Sequence, residues 1–323
     1  MKVTVRHALN AHFVEVADPS TVQFEHEGVS VRVATSAKPD GVFATITCVG
    51  TADVADDEEL HHNEDEIGPS SAGVFIMTAP SDQQYATAVV VAFNRIEGVL
   101  KRVGSVLRWR FGLSGYDSVF KDTTVTAQLA DGRPLHLELS PLAAMGDDRA
   151  DIGQGGLSAA AELVAASQNE PVAHELWREA WNLRHSSPRS SLVIGVAAAE
   201  VGLKQLIATL VPDAKSLVEN IPSPPLETMM RKVLPDLPIQ ADVEPGRRAP
   251  RHLRTAIASA VEDRNRVVHL GVVPRNDHRA TLLAIRDFLY LLDTYSGHQW
   301  AEALLTETTR SALVGSQAPS TRG

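Results

Sequence analysis

Cysteine is nearly absent from this sequence of 323 residues, because Cys48 is the only one. A single thiol excludes an internal disulfide, a cysteine cage for a metal ion and a Cys-x-x-Cys redox motif. Cys48 lies in the apolar run of residues 46–49. We expect it to fill space in a buried strand.

Long apolar runs are also missing. The longest uninterrupted one, near residues 88–93, is far shorter than the roughly 20 residues that a membrane-spanning helix needs. The N-terminus lacks the basic-then-apolar pattern of a signal peptide. We therefore expect a cytoplasmic location and no membrane partner. Aromatic residues are scarce at 5%, but a hydrophobic content of 44%, rich in Ala, Val and Leu, is enough for sizeable cores and favours close-packed helices.

Positive charge is in short supply, because 30 Lys and Arg face 40 Asp and Glu, for a net charge of -10. Since Lys and Arg supply most of the affinity for duplex DNA, no DNA partner is expected. Residues 1–155 hold 12 basic and 22 acidic residues, whereas the remainder holds 18 of each. Within that remainder, residues 244–290 hold nine Arg and five acidic residues. This local excess is compatible with a polyanionic partner.

The hydrophobic periodicity changes along the chain, and the length predicts two domains of roughly 150 residues each. Segments rich in Val, Thr and Phe predict strands at residues 3–5, 13–16, 29–34, 42–49, 124–129 and 135–139, the last two around an Asp131-Gly132-Arg133 hairpin turn. One amphipathic helix is predicted at residues 82–111. Residues 1–145 are therefore expected to form an α+β domain. The pattern does not identify its role, for which sensing and regulation are the candidates.

Residues 146–156 are rich in Gly and Asp and predict a solvated linker. Their Gly-Gln-Gly-Gly run lacks the Gly-Lys-Ser/Thr ending of a phosphate loop. The pattern beyond the linker predicts helices at residues 158–167, 172–184, 190–210, 226–233, 250–269 and 278–292. The expected fold is thus an α+β N-terminal domain followed by an all-α helical bundle over residues 157–305, with a flexible tail at 306–323.

The predicted helix at residues 190–210 carries one carboxylate beside its apolar stripe. Glu200 falls four residues after Val196, at the edge of the face that should meet the core. A carboxylate at such an edge either reaches water or pairs with a cation, because an unpaired buried charge is costly. Arg264 is the candidate cation.

The segment Arg264-Asn265-Arg266-Val267-Val268-His269 closes a predicted helix and follows the acidic pair Glu262-Asp263. Together with Ser187-Pro188-Arg189, which leads into the helix with Glu200, it resembles the HEPN superfamily pattern of Arg, often Asn, three to five variable residues and His. The resemblance covers roughly residues 171–300, including the closing stretch at residues 290–298. An Arg-x4-His spacing alone arises by chance in many proteins. The match to the superfamily pattern is more specific here because the motif lies at the end of a predicted helix.

The resemblance implies a bundle of about four to five helices that often forms a homodimer, and RNA as the partner. Active members of the superfamily are endoribonucleases that need no metal or other cofactor. Glu200 and Asp263 become candidate supporting residues under this interpretation, and Arg266 and Arg275 become candidate RNA contacts.

The chemistry of the three candidate catalytic residues fits that activity. His269 can exchange a proton near neutral pH, and Arg264 can grip a phosphate with a planar, permanently charged fork. Asn265 lies four residues before His269, so its amide could orient the ring or bond a nonbridging oxygen. Cleavage needs a proton acceptor for the ribose 2′-OH, a proton donor for the leaving 5′-oxygen and a cation near the phosphorus.

Helix geometry limits what one copy of the motif can do. Five residues at 100° each place Arg264 and His269 about 140° apart on an ideal helix. Either the helix ends at the motif, with Gly271 in the C-cap region, or two copies combine across a two-fold axis. The resemblance favours the dimer, and both arrangements are compatible.

Two alternatives stay open. In a purely structural interpretation, Arg264 pairs with Glu200 or Asp263, and His269 caps the helix end. Noncatalytic members of the superfamily, which serve as RNA-binding or interaction modules, also keep parts of the pattern. The function classes are therefore an endoribonuclease, in phage defence or as a toxin, and a noncatalytic RNA-binding or dimerisation module.

Two other constellations are expected to be structural. The acidic stretch at residues 53–66 has no ordered metal-ligand spacing and predicts a solvated loop, which could shield a basic cleft. Arg108-Trp109-Arg110 combines stacking and charge as single-strand binders do. With Phe111 adjacent, it is more typical of a helix end anchored in a core.

Overall fold

A computed structural model describes residues 1–15, 19–37, 43–54, 75–77, 85–113, 122–135, 137–139, 146–151, 153–220, 225–239, 243, 248–272 and 278–314. The chain divides into two compact units, Met1–Glu170 and Pro171–Gly323. An α+β unit followed by a helical unit confirms the predicted order of fold classes.

The first unit is built on a mostly antiparallel sheet. Its strands are β1 (Lys2–Glu15), β2 (Thr21–His26), β3 (Val29–Ala37), β4 (Phe43–Asp53), β5 (Phe75–Met77), β6 (Asp122–Gln128), β7 (Pro134–Leu135), β8 (Leu137–Leu139) and β9 (Gly146–Asp151). The main sheet has the order β2-β3-β4-β1-β6-β7, while β5 and β8 pair separately. β6 and β7 form the predicted hairpin. The predicted strands at 3–5 and 13–16 belong to the single strand β1, as far as residue 15.

One face of this sheet packs against two helices, α1 (Ala86–Phe111) and α2 (Gln154–Ala165). Alternating apolar residues supply that face, among them Val3, Val5, Val29, Val31, Val33, Ile46 and Cys48. A Cβ atom added at Gly50 would lie 2.4 Å from Cγ2 of Ile96, so α1 approaches β4 closely because glycine stands there. Trp109 is 2% exposed, which confirms that the Arg108-Trp109-Arg110 segment is anchored in a core.

Residues 146–156, predicted as a linker, instead form β9 and the start of α2. The described pairing of β1 with β6 runs from Lys2 to Ala8, and β9 pairs in parallel with β1 from Ala11 to Glu15. The side chain of Gln154 then bonds both backbone groups of Thr21. Because tertiary pairing outweighs the Gly- and Asp-rich composition, the division falls at Glu170/Pro171.

The described residues of the second unit form helices and the turns that join them, with no strand among them. Its helices are α3 (Val172–Leu183), α4 (Pro188–Leu210), α5 (Lys215–Asn220), α6 (Leu226–Thr228) with the π-helical turn Met229–Val233, α7 (Arg251–Leu270), α8 (His278–Tyr295) and α9 (Glu307–Val314). Short 3-10 turns lie at Pro212–Ala214, Leu234–Asp236 and Gln299–Leu304. The predicted helices at 172–184, 190–210, 250–269 and 278–292 are confirmed to within three residues at each end.

Helix α4 is central to this unit and packs against α3, α7 and α8. Gly195 and Gly202 permit the contact with α8, because a Cβ at either position would lie under 3 Å from Leu282 or Leu289. By length and composition alone α4 could cross a membrane, and half of its most apolar window is buried. In this unit that apolar surface is the core.

The predicted flexible tail at 306–323 begins instead with helix α9, while residues 315–323 lie outside the described ranges. The buried Asp287 carboxylate of α8 accepts hydrogen bonds from the Thr306 backbone N–H and hydroxyl and from the Thr309 hydroxyl. The Thr306 hydroxyl in turn accepts the Thr309 N–H, as an N-cap does. These bonds fasten α9 to the helical unit.

Candidate functional site at the end of α7

The candidate motif lies on α7, which packs against α4 through a small apolar core. Leu192 and Val196 of α4 meet Ala260 and Val267 of α7 in this core. Leu192, near the start of α4, thus shares a cluster with Val267, near the end of α7. Eight residues further along α4, Glu200 bonds Arg264, which precedes Val267. The two helices therefore run antiparallel, and the end of α7 lies beside the start of α4.

Arg264 extends this contact with an ion pair. Its Nη2 atom lies 2.9 Å from Oε1 of Glu200, with the two side chains 30% and 40% exposed. The predicted pair therefore forms, rather than a Glu200 side chain that reaches water alone. Glu200 lies one turn beyond Val196 on α4, and Arg264 lies between Ala260 and Val267 on α7, so both charges stand beside the apolar core.

Asp263 and Arg266 form a second pair one turn apart on α7. Nη1 of Arg266 lies 3.3 Å from Oδ1 of Asp263, whose side chain is only 7% exposed. Asp263 therefore pairs with Arg266. Arg266, a candidate RNA contact, also has a structural role as the partner of a buried carboxylate. Arg275, the other candidate RNA contact, lies outside the described residues.

Asn265 and His269 share an exposed face of α7. They are separated by four residues, about 40° around the helix. The helix stays regular through Leu270 and ends at Gly271, which adopts a φ of 64° and donates its N–H to the Val267 carbonyl. A left-handed residue of this kind is the C-cap that glycine favours, as predicted for Gly271. His269 lies in the last turn, where the helix dipole favours a cation.

The structure does not bring all three candidate catalytic residues to one face. Because α7 is regular over the motif, Arg264 and His269 point about 140° apart. Arg264 faces α4, while Asn265 and His269 face solvent. One chain alone therefore presents Asn265 and His269, with the Arg264 charge turned away from them.

Apolar side chains flank His269 on the surface. Val268 is 56% exposed and Leu270 is 68% exposed, and both are among the few large hydrophobic residues that stand out from the described surface. Single exposed apolar residues are ordinary, but two beside one candidate site indicate a face that can associate.

Other polar residues at this end of the unit were not predicted as site residues. His278, which starts α8, lies 2.8 Å through Nε2 from the Ser191 hydroxyl, and that hydroxyl donates to the Ala180 carbonyl. Trp177 of α3 donates its indole N–H to the Leu282 carbonyl of α8 at 2.8 Å. The sequence offers little signal for these contacts, because they join residues 11 to 105 positions apart.

A further buried polar cluster lies at the opposite end of α8. His174 of α3 lies 2.8 Å from the Asp293 carboxylate, and Tyr290 packs against the His174 ring. Burial lowers the pKa of the neighbouring His298, and the charge of Asp293 opposes that shift. This cluster is separated from His269 by the length of α8. No group of three potential metal ligands is found among the residues that the structure describes.

Comparisons of this chain with protein-family models, with curated proteins and with solved structures found no match.

Proposed function

We propose that this protein is a metal-independent endoribonuclease of the HEPN type, with a site completed by two copies of the chain. One observation carries the proposal: Asn265 and His269 stand together on the exposed end of a regular helix, whereas Arg264 is held on another face by Glu200. On α7 of a single copy, the proton-transfer group and the Arg264 cation therefore point apart. Two copies, related by a two-fold axis beside His269, would supply the missing groups to each other.

The proposed reaction needs no group beyond the chain and its RNA. One His269 ring takes the proton of a ribose 2′-OH, whose oxygen attacks the neighbouring phosphorus. The bond from phosphorus to the 5′-oxygen breaks, and the second His269 ring gives a proton to that oxygen. The products are a 2′,3′-cyclic phosphate and a free 5′-hydroxyl. The Asn265 amide donates to a nonbridging oxygen as charge grows there.

Arg264 contributes a fixed positive charge. Among described residues it bonds Glu200 through Nη2, and 30% of its side chain stays exposed. The pair holds the guanidinium in one orientation, which reduces the entropy lost when a phosphate binds. In this proposal Glu200 is a positioning residue, since it acts through Arg264.

The exposed Val268 and Leu270 side chains support association at this face. In a homodimer they would be covered while the His269 rings approach each other. Leu270→Asp should therefore lower the dimer fraction measured by analytical ultracentrifugation, whereas Val172→Asp, at an exposed position in the first turn of α3, should have less effect.

Cleavage of a single-stranded RNA in EDTA tests the activity. The wild-type chain should cleave, and His269→Ala should lower the rate by at least about a hundredfold, as expected for loss of a general acid-base group. Thr255→Ala changes an exposed residue of α7 outside the motif and should cleave at the wild-type rate. Cleavage that persists in His269→Ala would contradict the proposal.

A noncatalytic RNA-binding or dimerisation module is the second candidate function. It is favoured by the engagement of Arg264 and Arg266 in ion pairs within the fold. RNA binding without cleavage by the wild-type chain would support it. For either function, we propose that the α+β unit senses a trigger or restrains the helical unit, in a phage-defence or toxin system.

A further inference from the structure

Four helix ends meet on the same side of the helical unit as His269. Ser191, near the start of α4, bonds both Ala180 of α3 and His278 at the start of α8. Leu192 of α4 joins Val267, near the end of α7, in one apolar cluster. The last turns of α3 and α7 and the first turns of α4 and α8 therefore form one surface, which we call the basic end.

Side chains give the basic end its charge. Its described segments, residues 181–191, 267–272 and 278–284, contain no Asp or Glu. They contain three arginines and three histidines, namely Arg184, Arg189, Arg279, His185, His269 and His278. Two helix starts and two helix ends lie here, so their partial charges offset one another and the side chains decide the sign.

The nearest carboxylates along the four helices do little to neutralise this surface. Glu200 and Asp263 are paired with arginines, and Asp287 is buried against two threonines. Glu179 of α3 and Glu262 of α7 are exposed and lie two and five residues before the segments of the basic end. These two carboxylates still leave the three arginines in excess, so the basic end stands out in a chain whose net charge is -10.

A stacked group of planar side chains borders the same surface. The rings of Trp177 and Trp181 stack with centroids 5.5 Å apart. The guanidinium carbon of Arg184 lies 4.3 Å from the centroid of the Trp181 ring, and its Nη1 donates to the Trp181 carbonyl. The arginine is therefore held over the stack. A fixed guanidinium plane is a surface on which an unpaired nucleic-acid base can stack.

We infer that the basic end is the binding surface for a single-stranded RNA segment, with Arg184, Arg189 and Arg279 contacting phosphates and Arg184 also stacking on a base. Charge complementarity selects a polyanion, and the planar Arg184 stack selects one that carries exposed bases. A duplex would hide its bases from this stack. The inference deepens the proposed nuclease function and rests on it only in placing RNA beside His269.

Fluorescence anisotropy with a labelled single-stranded RNA of about 12 nucleotides, within the range that single-strand binding sites cover, tests the inference. The measurement uses the full chain with His269→Ala, in EDTA, so that binding is observed without cleavage. Replacing Arg184, Arg189 and Arg279 together by Gln should weaken binding by roughly tenfold for each phosphate contact that an arginine no longer makes. It should also reduce the slope of log K against log salt by about 2, because each phosphate contact on a single strand contributes about 0.7.

A matched control removes the same number of charges elsewhere. Arg231, Arg251 and Arg310 are partly or fully exposed positions outside the basic end. Arg251 begins α7 and lies about 27 Å along that helix from His269. Replacing these three by Gln should leave affinity within about twofold and the salt slope nearly unchanged. Circular dichroism establishes that both triple variants are folded.

Arg184→Lys separates stacking from charge. Lysine keeps the positive charge but has no planar group, so affinity should fall several-fold while the salt slope stays the same. Equal affinity of the Arg184→Lys variant and its parent chain would overturn the stacking assignment. So would an equal preference for single-stranded and duplex RNA.

Three results would overturn the binding surface itself: no RNA binding, equal losses in both triple variants, or equally tight binding of a poly-glutamate peptide, which would indicate an acidic protein partner. Failure of the nuclease is distinguishable. A wild-type chain that binds RNA through these arginines without cleaving it would contradict the proposed function and leave this inference intact. If the wild-type chain cleaves RNA but the basic-end variant binds it as tightly as its parent, the proposed function stands and this inference is overturned.

Discussion

Nη2 of Arg264 lies 2.9 Å from Oε1 of Glu200, and this ion pair joins the candidate motif to α4, the central helix of its unit. The first residue of the motif therefore has a task in the folded monomer. It orients α7 on α4 beside the apolar cluster that contains Ala260 and Val196. Any role toward a phosphate is additional to this one.

The strength of the Glu200–Arg264 pair can be predicted from its exposure. With side chains 40% and 30% exposed, solvent screens the pair, and its coupling energy should be roughly 0.2–1 kcal/mol. A double-mutant cycle with Glu200→Gln and Arg264→Gln, followed by chemical denaturation, measures that energy. The exposed Glu227–Arg231 pair is the matched control and should give a similar or smaller value. A coupling energy above about 3 kcal/mol would indicate a buried pair instead.

Two glycine substitutions should change the free energy of unfolding in opposite directions. Gly202→Ala places a Cβ 2.6 Å from Leu289 Cδ2 and 3.3 Å from Ala173 Cβ, so overpacking should cost about 1–3 kcal/mol. Gly98→Ala on α1 meets nothing within 4 Å and should stabilise by about 0.5–1 kcal/mol, because alanine loses less backbone entropy in a helix. Urea denaturation of each variant provides the comparison. Equal effects would mean that α4 and α8 are not packed closely at Gly202.

The first unit should lose stability on mild acidification through His7. Burial, and to a lesser extent the charge of Lys101, lowers the pKa of His7 to about 4. Between that value and the ordinary 6.5, the unfolded chain binds a proton that the folded chain does not. Stability from this residue is therefore complete above about pH 6.5 and falls by about 3 kcal/mol as the pH approaches 4.

Denaturation of the wild type and of His7→Gln at several pH values isolates this effect. The difference between their free energies of unfolding should change over the interval from about pH 6.5 to about 4 and stay level outside it. His185→Gln, at an exposed position, should follow the wild type. A His7→Gln chain with the same pH dependence as the wild type would contradict the assignment.

Local patterns predict much of this fold because they reflect local physics. The apolar spacing in α3, α4, α7 and α8 and the Asp131-Gly132 turn are properties of neighbouring residues, and all are found in the structure. The sequence does not predict strand β9 or helix α9, because both depend on residues that lie far away along the chain. β9 depends on its pairing with β1, and α9 depends on the buried Asp287 carboxylate, which lies 19 residues before Thr306.

The candidate site also has a part that local spacing predicts and a part that only the folded structure reveals. Helical spacing places Asn265 and His269 on one face and predicts that Arg264 points elsewhere. The Glu200–Arg264 pair could be proposed from the edge position of each residue. The basic end could not, because it is assembled from helix ends that lie far apart along the chain.

The chemistry of Cys48 has a practical consequence for the two-copy hypothesis. The side chain is completely buried, and burial raises the pKa of its thiol to about 12, so the reactive thiolate is scarce at neutral pH. A cysteine introduced at an exposed position of α7 would be the sole reactive thiol of the chain. In a symmetric pair, one such label becomes two, and their separation is twice the distance of the label from the axis. Because the native thiol does not react, a label on α7 would measure how far each His269 lies from its counterpart without interference from Cys48.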